Sequence, residues 1–599
     1  MTGGLTMVRI SAALVALATL AAAGSAAAQG PEHTYRSTNF SVTWSEETDV
    51  APDPRDSNSD DLPDAVVRLA RVFEDARTFL LADLGYREPP GEHPYQLYVV
   101  RDGGYVRPTP GGTERSRPSF IAVPARLVQT GVTPKVLRSF AVHEYMHAVQ
   151  HGYEDDAPDW IKEATSAWVE DVFFDGASPN HRYLEWFVPY PRLGLTSDEG
   201  FHEYGAFLFL QFITERVGGG SVTGAHLVRE LWERLSEAPG TDVDALDALR
   251  TLLNDRGWTF EEVWREFMYW RWDLLRFEEG ESYRAATGGR PRPSVVTRFV
   301  GESCRLETGE LPAVSGDYMS VVPRSAGSSR VTTVSVTGLP GTNAFALIAR
   351  DRVTVPERVD LDLDEQGTAR VMISPGLIRR ITLGLVNASI DEPASIAYSV
   401  RREGRSRVAM TDILGSSATD YGTSVRLSGS ILCANSPAKR ARLTLSGTDA
   451  NGVVTSQALE TDENGIWAAG VDPSSTTTYR VSLIDPLLSS ASTPDFTIEV
   501  RVVVTLDLDR DQLGIGEPVV ARGDVAPAHP DAQVVLEYRR PEGTWVMADE
   551  EIVGHDGYEM TFVPPATGIW EIRVRSTTTG DEDHEPGVSP TRLISVGSS

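Results

Sequence analysis

The chain has 599 residues, with 85 acidic against 55 basic side chains and a formal net charge of −30. That length exceeds what one hydrophobic core serves and predicts about three to five domains. The charge argues against nucleic acid as a partner, and only two cysteines, Cys304 and Cys433, leave neither a Cys-based zinc site nor a disulfide framework.

Residues 1–28 carry Arg9, an apolar run over 10–23, then Ala26, Ala27 and Ala28 before Gln29, which is the pattern of a secretory signal peptide. No later segment is long and apolar enough to span a bilayer, so the expected location is secreted, extracellular or periplasmic. The alternation of Phe40, Val42 and Trp44 predicts an opening strand. Asp56, Asn58, Asp60 and Asp64 then stand at positions one, three, five and nine of a loop, an oxygen-rich set that suits Ca2+. Asp61 replaces the glycine of an EF-hand loop, and the other reading is a solvated acidic turn in which Asp60 or Asp61 caps the following helix. That helix is predicted over 63–84, with Val66, Leu69, Ala70, Val72 and Phe73 on a broad apolar face. Strands follow at 95–100 and 119–123.

The next stretch organises the chain. Thr133 is a helix cap, Pro134 suits a first turn, and Val136, Leu137, Phe140, Ala141 and Ala148 recur at helical spacing until Gly152. His143 and His147 are therefore one turn apart, project to one side and can reach one ion, with Glu144 beside them as a general base: His-Glu-x-x-His on a helix. A catalytic zinc with two protein ligands needs a further donor and an open position. Asp159 can cap a second helix in which Ile161, Ala164, Trp168 and Val172 form the apolar stripe and Glu163, Ala167 and Glu170 share another face, which makes Glu163 the candidate.

The run His143-Glu-Tyr-Met-His147-Ala-Val-Gln150 with Trp160-x-x-Glu163-Ala and Ala167-Trp-x-Glu170-Asp171 resembles the gluzincin zinc metallopeptidases. More narrowly, it is similar to a group of secreted bacterial metalloprotease-like proteins that share the His-Glu-(Tyr/Phe)-x-His-x-x-Gln element. The resemblance covers about residues 37–285 and implies an α+β zincin-like fold, a mixed sheet plus a helical lobe. It implies that Glu163 is the third zinc ligand and that Glu170 orients a ligand histidine, although spacing alone also allows Asp171 in that place. It also implies that the strand near Phe120 is the edge along which substrate backbone pairs. A downstream tyrosine or histidine donates to the oxyanion in that family; by position this is Tyr204, or else His202, while a purely packing role for Tyr204 stays open.

A buried helix over 203–213 and further helices over 225–236, 244–254 and from Thr259, where a capping box with Glu262 opens the last, predict a helical lobe. Around 288–293 the composition turns to Gly, Pro and Arg and the periodicity to two. The expected organisation is a signal peptide at 1–28, a catalytic domain at 29–290 and three β-sandwich modules at 291–404, 405–500 and 501–599. The last two are immunoglobulin-like, because 424–429 corresponds to 518–523 and 462–467 to 554–559. Whether Cys304 and Cys433 pair is left open.

These features predict a zinc-dependent endopeptidase acting on protein or peptide through metal-activated water, with His143, His147 and Glu163 on Zn2+ and Glu144 and Tyr204 in the chemistry. The alternative is a catalytically silent binding or surface-attachment protein whose β-modules hold a cell-surface or matrix ligand.

Overall fold

The computed structural model describes residues 32–598 apart from 114, 175–178, 238–240, 290, 300–303, 324–326, 329, 351–354, 403–407, 529–531, 556 and 580–581, so the predicted signal peptide lies outside the described residues. Contacts divide the chain into two compact units. One holds the chain through Phe187 with Thr196–Arg256 and Leu275–Gly288, and the other holds Val188–Leu195, Gly257–Leu274 and Gly289–Ser599.

The first unit is built on a five-stranded mixed sheet of β1 (Glu32–Arg36), β2 (Phe40–Ser45), β3 (Tyr95–Val100), β4 (Tyr105–Pro108) and β5 (Ser119–Pro124), in the order β1-β2-β3-β5-β4. β2, β3 and β5 run parallel, and β1 and β4 close the two sides antiparallel. The expected 63–84 helix is α-helical as α1 (Asp64–Arg77) and widens into a π-turn over Thr78–Asp83. Its apolar face, Val66, Leu69, Ala70 and Phe73, is buried, as the spacing requires.

α2 (Pro134–Gln150) starts where Thr133 accepts from the Val136 N–H, and α3 (Asp159–Phe174) follows after a short loop. Tyr145 of α2 packs edge-on against Phe40 and Tyr95 of the sheet at 5.3 and 5.9 Å between ring centres. With Ala141 and Ala148 on the same face fully buried, that face of α2 is fixed to the sheet. His143 and His147, on the opposite face, are thereby aimed at α3. α3 is held in turn by Trp168, fully buried with its indole N–H donating to Gln211 at 3.1 Å. Truncating an aromatic of that kind to alanine costs about 3–5 kcal/mol.

Among the described residues the α-helices after α3 are α4 (Leu184–Phe187), α5 (His202–Gly205), α6 (Phe207–Phe212), α7 (His226–Leu235), α8 (Asp242–Asn254), α9 (Phe260–Trp272) and α10 (Gly280–Thr287). The helix expected over 203–213 is broken into α5 and α6. The capping box of Thr259 and Glu262 is present at the head of α9. α9, read from the sequence as part of the helical lobe, belongs instead to the second unit. There Trp264 donates to the Ser315 carbonyl at 3.2 Å, and Trp272 packs on Tyr318 at 4.9 Å between ring centres.

The rest of the second unit is β-structure. Residues 295–402 form a sandwich of a four-stranded and a five-stranded sheet around Val334, Val336, Ala346, Leu383, Ile396 and Val400. Two further two-layer β-modules follow, with cores centred on Leu427, Trp467 and Val481 and on Val534, Tyr558 and Ile572. In each, an aromatic lies over a strand glycine: a Cβ on Gly429 would stand 2.7 Å from the Trp467 ring, and one on Gly523 would stand 2.6 Å from the Tyr558 hydroxyl. Cys304 and Cys433 do pair, with Cα atoms 5.7 Å apart, and this disulfide ties the first β-module to the second.

Candidate metal centre

Nε2 of His143 and Nε2 of His147 lie 3.2 Å apart, and Glu163 Oε2 is 3.4 Å from each. The outer nitrogens of both rings are held. His143 Nδ1 meets Glu170 Oε1 at 2.8 Å, and Ser139 donates to the other oxygen of Glu170. His147 Nδ1 meets Gln150 Oε1 at 2.9 Å, and Gln150 is oriented because its Nε2 donates to the Lys162 carbonyl at 2.9 Å. Since Glu170 Oε1 and Gln150 Oε1 can only accept, each Nδ1 carries the proton in the neutral rings, and each Nε2 directs a lone pair inward. Three electron-pair donors then converge on one point, an arrangement that a cation resolves.

The donor set and its spacing fit zinc. Tetrahedral bonds of about 2.0–2.1 Å place ligand atoms about 3.3 Å apart, against the edges of 3.2, 3.4 and 3.4 Å found here. The triad opens on a cleft that is lined also by Gly104, Tyr105, Glu144, His151, Lys162 and Tyr204.

Charges in the cleft are strongly coupled. Burial lowers the His143 pKa, but its hydrogen bonds to Glu163 and Glu170 outweigh this and raise it well above the ordinary imidazole value. Burial works to raise Glu163, and the two imidazoles outweigh it, holding that carboxylate far below its usual range. Glu144 behaves oppositely. It is 6% exposed with Oε2 lacking any hydrogen-bond partner, and burial raises its pKa against the pull of His143 and His147.

Tyr204 lies on the cleft wall, its ring stacked on His143 at 6.0 Å between centres. Burial and the neighbouring Glu163 carboxylate raise its pKa, so the phenol keeps its proton as a donor. His202 is fully buried, with Nδ1 3.1 Å from the Trp186 carbonyl and its ring on Phe187, away from the cleft lining. Asp171 does not substitute for Glu170. It faces His181, whose Nε2 is 2.8 Å from Asp171 Oδ1 and 3.4 Å from Glu279 Oε2, while the Tyr283 hydroxyl donates to the other Asp171 oxygen. Asp171, His181 and Glu279 make the second group, among the described residues, whose ligating atoms lie within 4.8 Å of one another.

Two expectations need correction or restatement. The strand carrying Phe120 is not the sheet edge: β5 is covered by β4, and Tyr105–Pro108 is the edge beside the cleft. In the acidic loop, the carboxylates turn to the loop's own amides. Asp56 accepts from the N–H groups of Ser59, Asp60 and Asp61, Asp60 from Leu62, and Asp64 from Ser57, while the Asn58 amide donates to Asp60. These contacts close an acidic turn, but neither Asp60 nor Asp61 caps the following helix as expected: the N-cap of α1 is Pro63, with no side-chain hydrogen bond. The roles of Gln150 and Ser139 were not foreseen, although Gln150 stands three residues after His147 on the same helix, a spacing that puts both on one face.

No protein-family model matches the chain, and no curated protein matches it. Among solved structures it is similar to a two-domain fibronectin type III segment of chicken tenascin, at 16% identity over 31% of this chain and 98% of that one, TM-score 0.21. A tetra-tandem repeat from the extending region of a large adhesion protein is similar at 14% identity over 45% and 68%, TM-score 0.17. The Yersinia pseudotuberculosis adhesin InvE is similar at 13% over 32% and 61%, TM-score 0.16. At these scores the likenesses carry no argument about function, and the sandwich architecture rests on the strand pairing described above.

Proposed function

We propose that the chain is a secreted zinc-dependent endopeptidase of gluzincin type, and the observation that carries this reading is the triangle of His143, His147 and Glu163 with both imidazoles oriented from behind. Zinc held there supplies Lewis acidity and brings the pKa of water toward about 7. Glu144, which lines the same cleft, accepts a proton from the attacking water and delivers it to the leaving amine. Its buried oxygen has no hydrogen-bond partner, and burial raises its pKa, which makes it a stronger proton acceptor than an ordinary carboxylate. Tyr204 donates its phenol proton to the oxygen that gains charge as the carbonyl is attacked. The open side of β4 offers backbone groups to an extended peptide, as β-augmentation requires.

The test pairs metal content with proteolysis of a denatured protein mixture by the full chain and by Glu144→Gln. The expected result is zinc in both and cleavage only in the unsubstituted protein. Zinc with no cleavage in either supports the other reading, a surface-binding protein working through its three β-modules. Cleavage by both rules out Glu144 as the base.

A further inference from the structure

Beside the metal centre, four aromatic rings of the first unit run outward in contact. Tyr204, stacked on His143, also stacks on Tyr183 at 4.8 Å and meets Phe201 edge-on at 5.7 Å between centres. Phe201 meets Trp186 at 5.7 Å. The two outermost rings stand in solvent, with Phe201 47% and Trp186 42% exposed, although most large apolar side chains of this unit are buried. Single exposed aromatics need no explanation; two in contact, continuous with a candidate catalytic cleft, form an apolar surface of the kind that binding covers.

The shelf is held in place rather than left mobile. The Trp186 ring lies on the backbone of Gly200, where a Cβ would come within 3.0 Å of it and where φ is +75°. Buried His202 meets the Trp186 carbonyl at 3.1 Å and packs on Phe187 from beneath. Arg182 donates to the Tyr183 hydroxyl at 2.7 Å. Rings fixed before a ligand arrives lose little freedom on binding, which is what a specificity surface needs.

We propose that Trp186 and Phe201, reached through Tyr183 and Tyr204, form the subsite that selects peptides with an aromatic or large aliphatic side chain close to the scissile bond. This rests on the endopeptidase reading. A peptide is the favoured occupant because the shelf is continuous, through Tyr204, with a cleft whose other wall includes Tyr105 of the edge strand. An extended peptide lying along that strand places alternate side chains on one side of its backbone, and the shelf is an apolar surface that adjoins the cleft through Tyr204.

Two measurements keep this inference separable from the reading beneath it. Hydrolysis of matched synthetic peptides, differing only in Phe or Ala beside the cleaved bond, is compared between the full chain and the Trp186→Ala/Phe201→Ala double variant. Binding of the same peptides is measured by calorimetry in the Glu144→Gln background, with and without the double substitution, where no turnover is needed. The ratio of kcat/KM for the Phe over the Ala peptide is expected to exceed about tenfold and to collapse toward one in the double variant. The binding preference is expected to collapse with it, while zinc content stays unchanged and Trp186→Phe restores most of the selectivity. Cleavage without a Phe preference, or a preference that survives the double substitution, overturns the subsite and leaves the endopeptidase standing. Absence of cleavage together with equal binding of both peptides overturns both, whereas a shelf-dependent Phe preference in binding without cleavage retains the subsite and removes the peptidase.

Discussion

Two clusters of histidine and carboxylate sit in the first unit, and they differ in what their protons do. In the Asp171, His181 and Glu279 group one imidazole nitrogen faces both carboxylates, closer to Asp171, and Tyr283 donates to the remaining Asp171 oxygen. In the His143, His147 and Glu163 group the outer nitrogens are already committed to Glu170 and Gln150, and with both rings neutral three lone pairs face one another across 3.2 to 3.4 Å. The first group is mostly buried, with both Asp171 oxygens held by neighbouring donors, and the second opens on a cleft. Residue type alone does not distinguish a structural network from a binding site; the hydrogen bonds behind each ligating atom and its access from the cleft do.

Substitutions sharpen that contrast in order of effect. Glu144→Gln removes the proton carrier and is expected to lower kcat by about 100 to 10,000-fold with zinc retained, as measured on a peptide substrate. Tyr204→Phe leaves the ring in place and removes the donor, with an expected loss of about 100 to 1000-fold in kcat and little change in KM. A loss confined to KM would assign Tyr204 to packing. Glu170→Ala and Gln150→Ala free the rear of one imidazole each, and a drop of about 10 to 100-fold in zinc affinity is expected in a chelator competition. The same competition run against pH carries a sign: because Glu163 and Glu170 raise the His143 pKa, protons compete with the metal there, and zinc affinity rises with pH until the imidazole is neutral.

The closed cluster acts on stability rather than on the metal. Burial lowers the His181 pKa, but Asp171 and Glu279 outweigh it and hold it at about 9. The folded chain therefore binds this proton more tightly than the unfolded chain. The resulting stability is complete below about pH 6.5 and is lost as pH rises through about 9, at most about 3 kcal/mol. Urea unfolding of the full chain at a series of pH values is expected to show this slope, and His181→Phe to flatten it without changing zinc content. An unchanged slope in that variant would assign the pH dependence elsewhere.

Much of this was readable from residue spacing. The period of α2 put two imidazoles on one face, and the seven-residue step from Glu163 to Glu170 put a ligand candidate and a second carboxylate on the facing helix. What spacing could not supply was the identity of the neighbours. β4 is four residues long and mostly exposed, with Gly103 and Gly104 before it, so it carries no alternation to announce a strand, and the edge was assigned one strand too far inward. The amphipathic pattern of α9 announces a buried face but not that the face meets β-strands of the second unit. Gln150 is a neutral amide, and its role depends on the Lys162 carbonyl, which reaches it only once α3 has packed. A pairing of Cys304 with Cys433 across 129 positions likewise follows from the docking of two modules rather than from any local pattern.

The central claim, that one of the two clusters is a metal centre and the other is not, is tested most directly by zinc stoichiometry. Metal is measured by mass spectrometry on the full chain, on Glu163→Gln and on Asp171→Asn, each loaded with zinc and dialysed against a weak chelator. One zinc per chain is expected in the unsubstituted protein and in Asp171→Asn, and none in Glu163→Gln. Zinc retained by Glu163→Gln, or lost from Asp171→Asn while the fold is intact, would contradict the account.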